Sequence, residues 1–133
     1  MELKPLQRVK LKTHGDDRGL LTVAELNEYI DWPVKRIYYV TATKLARGGH
    51  AVAGEKKIYI CVQGTMKARF HNGIEWIEYD MKGPDDAIIM EDYYFREFVD
   101  FSEGAVLLAV CSINYDAEAY EYNLDSYIKK VNQ

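Results

Sequence analysis

Short segments of alternating polarity, separated by turn residues, fill the middle of this sequence. Met66–His71 alternates apolar and polar side chains, Asn72-Gly73 is a strong hairpin signal, and Ile74–Met81 follows it. Lys57–Gln63 and Ala105–Ile113 are similar runs, rich in residues that suit a pleated surface. About eight to ten short strands with closely spaced turns predict an all-β sandwich, jelly roll or barrel.

The remaining segments extend this pattern to both ends of the chain. Further strands are predicted at Arg8–Lys12, Leu20–Glu25, Arg36–Thr43, Ala87–Met90 and Tyr94–Phe101. The tail, Ala117–Val131, could hold a short helix or an irregular segment, pinned to the barrel by Tyr120, Tyr122 and Tyr127. Because repeats, linkers and low-complexity segments are absent, one domain over residues 1–133 is predicted.

Composition narrows the possible functions. Hydrophobic residues make up 48% of the 133 residues, which is enough for a real core. A net charge of -4 argues against a general nucleic-acid or membrane-surface role, because both need a basic field. Cys61 and Cys111 lie inside apolar strands, where a buried thiol is expected. With neither a signal peptide nor a membrane span recognisable, the cytoplasm is the expected location.

The segment Arg47–Lys56 combines an arginine, three glycines, a histidine and a lysine just before a strand. Glycines allow a ligand to approach the backbone closely, and His50 follows two of them. An arginine such as Arg47 can bind a phosphate, while a neighbouring imidazole acts as a base near neutral pH. The alternative is that His50 is an ordinary structural histidine.

Lys56 is a second candidate, because it shares the parity of Ile58 and Ile60 in the strand that follows. An inward-facing amine is costly unless it meets an anion or loses its proton. The alternative is that the strand begins late and Lys56 faces solvent. No metal is predicted, since the spacing of a cupin metal site would need a histidine at Val52 and a glutamate at Lys56.

Several short motifs together point to a family. They are Asp17-Arg18-Gly19, Lys35-Arg36-Ile37-Tyr38-Tyr39, Arg47-Gly48-Gly49-His50-Ala51, Cys61-Val62-Gln63-Gly64, Asp100-Phe101-Ser102 and Asn114-Tyr115-Asp116. In order and spacing, from about Asp16 to Tyr127, they resemble the WxcM-like sugar 3,4-ketoisomerases, cupin-fold enzymes that act on dTDP-4-keto-6-deoxyglucose.

The resemblance implies a cupin-type double-stranded β-helix, or jelly roll, that forms a homodimer, often by exchanging N-terminal strands. It implies a pocket for a dTDP-linked 4-keto-6-deoxy sugar and an isomerisation that moves the ketone from C4 to C3 through an enediol. It further implies neither a metal nor a redox cofactor, and a place in deoxysugar biosynthesis for a surface glycan such as lipopolysaccharide, or for a secondary metabolite. His50 matches the first histidine of the family's Arg-Gly-x-His-x-His motif and is the candidate base.

This chain departs from that motif at two positions. Val52 replaces the second histidine, and Lys56 stands where relatives tend to carry a glutamate. Lys56, Tyr38, or Arg96 orienting a water could supply the missing group. Among the other cations, the resemblance suggests Arg36 and Arg47 for the diphosphate, with Arg18 and Arg96 flanking the sugar.

Two alternative functions involve the same ligand, one with a different reaction and one with no reaction. An epimerase acting on a dTDP-4-keto-6-deoxy sugar also begins by removing a proton beside a ketone. A nucleotide-sugar binding protein without catalysis would explain the loss of the second motif histidine at Val52.

Overall fold

The computed structural model describes residues 2–133, so the first residue of the predicted 1–133 domain lies outside it. Within this range, two five-stranded antiparallel sheets face each other and enclose a core, as in a jelly roll. One sheet has the strand order β1-β9-β6-β11-β4, and the other has the order β12-β5-β10-β7-β8. Strands β2 and β3 form a separate hairpin.

The strands follow the sequence predictions closely in the middle of the chain. Their bounds are β1 Gln7–Lys10, β2 Lys12–Asp16, β3 Gly19–Val23, β4 Arg36–Val40, β5 Arg47–Val52, β6 Lys57–Gln63, β7 Thr65–His71, β8 Trp76–Lys82, β9 Asp86–Met90, β10 Phe95–Val99, β11 Val106–Cys111 and β12 Tyr120–Glu121. Short 3₁₀ helices occupy Leu26–Glu28 and Ala117–Ala119. The all-β prediction is therefore confirmed.

The C-terminal tail holds the short helix α1, Leu124–Val131, which begins after the capping residue Asn123. Tyr127 on this helix is fully buried, and its hydroxyl lies 2.7 Å from the backbone carbonyl oxygens of both His71 and Tyr93, which share its one proton. The tail is thus pinned to the barrel by a tyrosine, as predicted for Tyr127. No helix among residues 2–133 has the length and apolar character needed to cross a bilayer.

Strand β6 is buried on both of its faces. Tyr59 points into the space between the sheets, where it joins the main core. Ile58 and Ile60 point the other way, into a second apolar cluster that contains Leu11 and Trp32 from the N-terminal part of the chain. The expectation that the even-numbered face of this strand lines the barrel interior is therefore wrong.

The N-terminal region differs from the prediction in one respect. The predicted strand Arg8–Lys12 is divided at Leu11, which is buried and whose backbone N–H donates to the carbonyl of Asp85. After this break, the β2–β3 hairpin leaves the barrel. Its Leu20 and Leu21 side chains remain 70% and 59% exposed, so the hairpin presents an apolar surface to solvent.

Candidate active site

A cavity of about 160 Å³ opens between the two sheets at one end of the barrel. Tyrosine, arginine and histidine side chains line it, together with apolar residues of the core. The polar lining residues are Tyr38, Arg47, His50, Tyr59, Arg96 and Tyr120. They come from β4, β5, β6, β10 and β12, so strands of both sheets contribute to the cavity.

His50 lies on β5 directly opposite Arg96 on β10. Its imidazole is half-buried, and its ring centre lies 4.7 Å from that of Tyr120. Burial lowers the pKa of His50 to about 4, helped by the positive charges of Arg96 and Lys57. The ring is therefore neutral near pH 7 and has a nitrogen free to accept a proton.

The structure explains why a glycine stands at position 48, two residues before His50. Its backbone has a φ of +92°, and an added Cβ would lie 2.9 Å from the carbonyl oxygen of Arg96. A larger residue would strain the backbone and push β5 away from β10. The glycine thus permits the close pairing of strands that brings His50 and Arg96 together.

Glu55 is the buried anion beneath the cavity, and three cations reach it. Its carboxylate lies 2.6 Å from Arg96, 3.3 Å from Lys57 and 3.4 Å from Arg36. Within residues 2–133 the Nη1 atom of Arg96 is buried without a hydrogen-bond partner. This cluster carries more positive than negative charge, which favours binding of an anionic ligand.

Tyr38 connects this charged cluster to the cavity. Its hydroxyl accepts a hydrogen bond of 2.9 Å from the Nζ of Lys57, which is itself buried. Burial raises the pKa of Tyr38 to about 12, whereas burial and then the charge of Arg96 lower the pKa of Lys57 to about 8. Near pH 7 the pair is therefore a neutral phenol next to an ammonium group.

The structure brings most of the predicted site residues together. Tyr38, Arg47, His50 and Arg96 line the cavity, whereas Arg36 does not line it and pairs with Glu55 nearby.

Two of the predicted residues lie elsewhere. Lys56 is exposed, and its backbone N–H donates to the hydroxyl of Ser112, so the expected inward orientation is wrong. Arg18 lies in the exposed β2–β3 hairpin, where it pairs with Asp16 at 2.5 Å.

Glu55 and Lys57 are the functional candidates that the sequence prediction missed. Both alternate with Tyr59 on the odd-numbered face, so a signal was present in the sequence. It was hidden because the even-numbered face carries isoleucines and is the more apolar of the two. The greater hydrophobicity of that face predicts an inward-facing Lys56, whereas the buried amine is the neighbouring Lys57.

Among residues 2–133 there is no group of three or more histidine, cysteine, aspartate or glutamate side chains that could hold a metal ion. The groups available in the cavity are an imidazole, tyrosine hydroxyls and guanidinium groups. Such groups can move protons and stabilise an oxyanion.

Residues 4–132 match the family model described as FdtA: WxcM-like, C-terminal. The chain belongs to the WxcM-like FdtA family. A curated relative, the TDP-4-oxo-6-deoxy-alpha-D-glucose-3,4-oxoisomerase of Aneurinibacillus thermoaerophilus, is 30% identical over 93% of both chains. The resemblance inferred from the short motifs is thereby confirmed.

Solved structures of 3,4-ketoisomerases have the same fold as this FdtA-family chain. QdtA of Thermoanaerobacterium thermosaccharolyticum, in complex with TDP, is 31% identical, with a TM-score of 0.88 over 96% of this chain and 94% of its own. A histidine-to-asparagine mutant of QdtA was solved with TDP-4-keto-6-deoxyglucose; it is 30% identical, with a TM-score of 0.89 over 98% of this chain and 96% of its own. The 3'-monoepimerase ChmJ of Streptomyces bikiniensis, at 18% identity and a TM-score of 0.80 over 91% of this chain and 70% of its own, shares the fold.

Proposed function

We propose that this protein is a dTDP-4-keto-6-deoxyglucose 3,4-ketoisomerase that moves the sugar ketone from C4 to C3 through an enediol. The observation that carries the proposal is His50, a neutral imidazole beside Arg96 in a cavity with surplus positive charge. The family membership and the ketoisomerase relatives support the same reaction.

The charges around the cavity suit a nucleotide diphosphate sugar. Arg47 is exposed at the cavity mouth, where its guanidinium contacts the diphosphate, whereas Arg36 is held by Glu55 beneath the cavity and adds positive charge from there. The cavity itself takes the sugar ring, while the nucleotide lies outside at the mouth. Arg96, with its unpartnered Nη1, faces the sugar.

The reaction begins with removal of a proton from the carbon next to the ketone. His50 takes the C3 proton, and its neutral form is the one that can accept it. Negative charge then develops on O4, where the Arg96 guanidinium stabilises it and the Tyr38 hydroxyl donates a proton. The enediol collapses to the 3-ketone when C4 is protonated and O3 loses its proton.

The test is to incubate the protein with dTDP-4-keto-6-deoxyglucose in deuterated water and to follow the sugar by NMR. We expect the ketone to appear at C3 with deuterium at C4. His50→Asn should lower the rate by about 10²–10⁴-fold while dTDP still binds. Glu103→Gln, at an exposed position outside the cavity lining, is the control and should keep the wild-type rate.

Two other outcomes of this experiment would replace the proposal. Deuterium at C5 without a 3-ketone would favour a dTDP-4-keto-6-deoxy sugar epimerase. Binding of dTDP with no turnover would favour a nucleotide-sugar binding protein, which is the interpretation that Val52 in the second histidine position supports. No exchange and no binding would exclude all three functions.

We also propose that the active form is a homodimer in which the β2–β3 hairpins are exchanged. The hairpin exposes Leu20 and Leu21, and an isolated two-stranded hairpin is marginally stable in water. The edge strand β4 exposes Ile37 and Tyr39, which offer it a matching apolar surface. Exchange would carry Arg18 to the neighbouring copy, where it flanks the sugar.

The cellular setting follows from the same chemistry. A 3-keto-6-deoxy sugar nucleotide is an intermediate in making deoxysugars, so we place the protein in biosynthesis of a surface glycan such as lipopolysaccharide or of a secondary metabolite. Cys61 and Cys111 are free and buried, which suits the reducing cytoplasm.

A further inference from the structure

Lys57 lies directly behind Tyr38, as seen from the cavity. Its side chain is 1% exposed and is not among the residues that line the cavity, so it does not contact the sugar itself. Its Nζ atom lies 2.9 Å from the Tyr38 hydroxyl and 3.3 Å from the Glu55 carboxylate. Lys57 thus contacts both a cavity-lining acid and the buried anion of the site.

The direction of the Lys57–Tyr38 hydrogen bond matters for proton transfer. A protonated amine has only donors, so the Tyr38 oxygen must be the acceptor. The proton of the Tyr38 hydroxyl then remains available to an oxygen in the cavity. When that proton leaves, the ammonium group of Lys57 is in position to replace it.

The second histidine position of the motif cannot transfer a proton in this chain, because it holds the buried aliphatic residue Val52. We propose that Lys57, held by Glu55, takes over the proton handling of the missing histidine by controlling the protonation of Tyr38. The inference rests on the proposed ketoisomerase function. It makes Tyr38 a catalytic residue and Lys57 a positioning residue that acts through it.

The proton transfers balance over the reaction. His50 takes the C3 proton, and the electron pair of that bond forms the C3=C4 double bond. O4 takes the proton of Tyr38, whose oxygen is reprotonated by Lys57. In the second half, the same Tyr38–Lys57 pair accepts the O3 proton and the ketone forms at C3. The half-exposed His50 exchanges its proton with solvent and then protonates C4.

The surroundings of Lys57 make its protonation sensitive to pH. Burial and then the charge of Arg96 lower its pKa to about 8, while Glu55 opposes this shift. The titratable and charged groups that face it are Arg36 and Tyr38 from β4, His50 from β5, Tyr59 from β6, Arg96 from β10, Cys111 from β11, and Glu55. The protonated form is active, so kcat should fall as the pH rises through about 8.

The experiment compares pH profiles of kcat for the wild type, Lys57→Met, Lys57→Arg and Tyr38→Phe, with Lys56→Met as the matched exposed control. Lys57→Met should lower kcat at pH 7 about 100-fold, remove the decline near pH 8, and change dTDP affinity less than tenfold. Lys57→Arg keeps the charge and stays protonated, so its decline should move to higher pH. The double variant Lys57→Met/Tyr38→Phe should be no slower than Tyr38→Phe.

The inference is overturned if the wild-type decline near pH 8 persists in Lys57→Met and Lys57→Arg, or if Tyr38→Phe keeps wild-type kcat. If the role of Lys57 is purely structural, its substitution lowers activity in proportion to the folded fraction and leaves the pH profile of kcat unchanged. Should Lys57→Met fail to fold, Lys57→Arg decides alone. A wild-type protein that neither binds dTDP nor isomerises the sugar overturns the proposed function and this inference with it.

Discussion

The two faces of β6 are equally buried but carry different chemistry. On the inner face, Lys57 follows the buried Glu55 and joins the charged cluster below the cavity. On the outer face, Ile58 and Ile60 pack into an apolar cluster against the N-terminal part of the chain. One strand therefore supplies a reactive site on one side and a stabilising layer on the other.

This difference shows where the fold accepts an energetic cost. Buried charges are expensive to desolvate, and replacing a buried ion pair with hydrocarbon is often neutral or stabilising. The inner face keeps its charges next to a cavity, which is consistent with a function that needs them. The outer face packs into a cluster made mostly of aliphatic side chains.

The largest predicted effect comes from breaking the charge balance on the inner face. Glu55→Gln leaves Arg36, Lys57 and Arg96 without their shared carboxylate. We expect the free energy of unfolding to fall by about 3 kcal/mol, measured by urea denaturation. Glu103→Gln, at an exposed position, should change it by less than about 0.5 kcal/mol. Equal, small effects of both substitutions would contradict a balanced charge cluster.

A smaller effect concerns the pH dependence of stability at the cavity. The pKa of His50 is about 4 in the folded protein and ordinarily 6.5, so below pH 6.5 the unfolded chain binds a proton that the folded chain does not. Stability should therefore fall as the pH drops from 6.5 towards 4, by on the order of 2 kcal/mol from this residue. Below pH 4 both states are protonated, and this contribution no longer changes.

His50→Asn should remove that contribution, so the difference in thermal midpoint between variant and wild type should change over this pH range. Parallel profiles for wild type and His50→Asn would show that the imidazole is not buried as described.

The smallest predicted effect on the free energy of unfolding comes from a substitution on the apolar outer face of β6. Ile60→Val removes one methyl group from the apolar cluster and should lower the free energy of unfolding by about 1 kcal/mol. Because the side chain points away from the cavity, dTDP affinity and kcat of the folded protein should stay at wild-type values. A change in KM larger than threefold would mean that the two faces are coupled.

Much of the fold could be predicted from the sequence, because alternation and turn residues act locally. Lys57–Gln63 was predicted with its observed bounds, and the Asn72-Gly73 turn joins β7 to β8. The division of the first predicted strand at Leu11 could not be foreseen, since it depends on contacts with the distant residues Asp85 and Trp32.

The site was predictable in its motif residues but not in its buried charges. His50 and Arg96 carry recognisable signals, and the structure places them opposite each other on neighbouring strands. Lys56 and Lys57 are adjacent and chemically identical, so they differ only in the face of the sheet on which each side chain lies. Which face is the inner one depends on what covers the outer face of β6, and the alternation of residues within the strand does not show this.

The central claim is that the charged end of the barrel binds a thymidine diphosphate sugar, and a thermal unfolding titration with dTDP tests it most directly. A ligand at about 100 times its Kd adds about 2.7 kcal/mol, so the account predicts a rise of several degrees in Tm. Arg47→Ala, at the exposed mouth, should need at least tenfold more dTDP for the same shift. An unchanged Tm at millimolar dTDP would contradict the account.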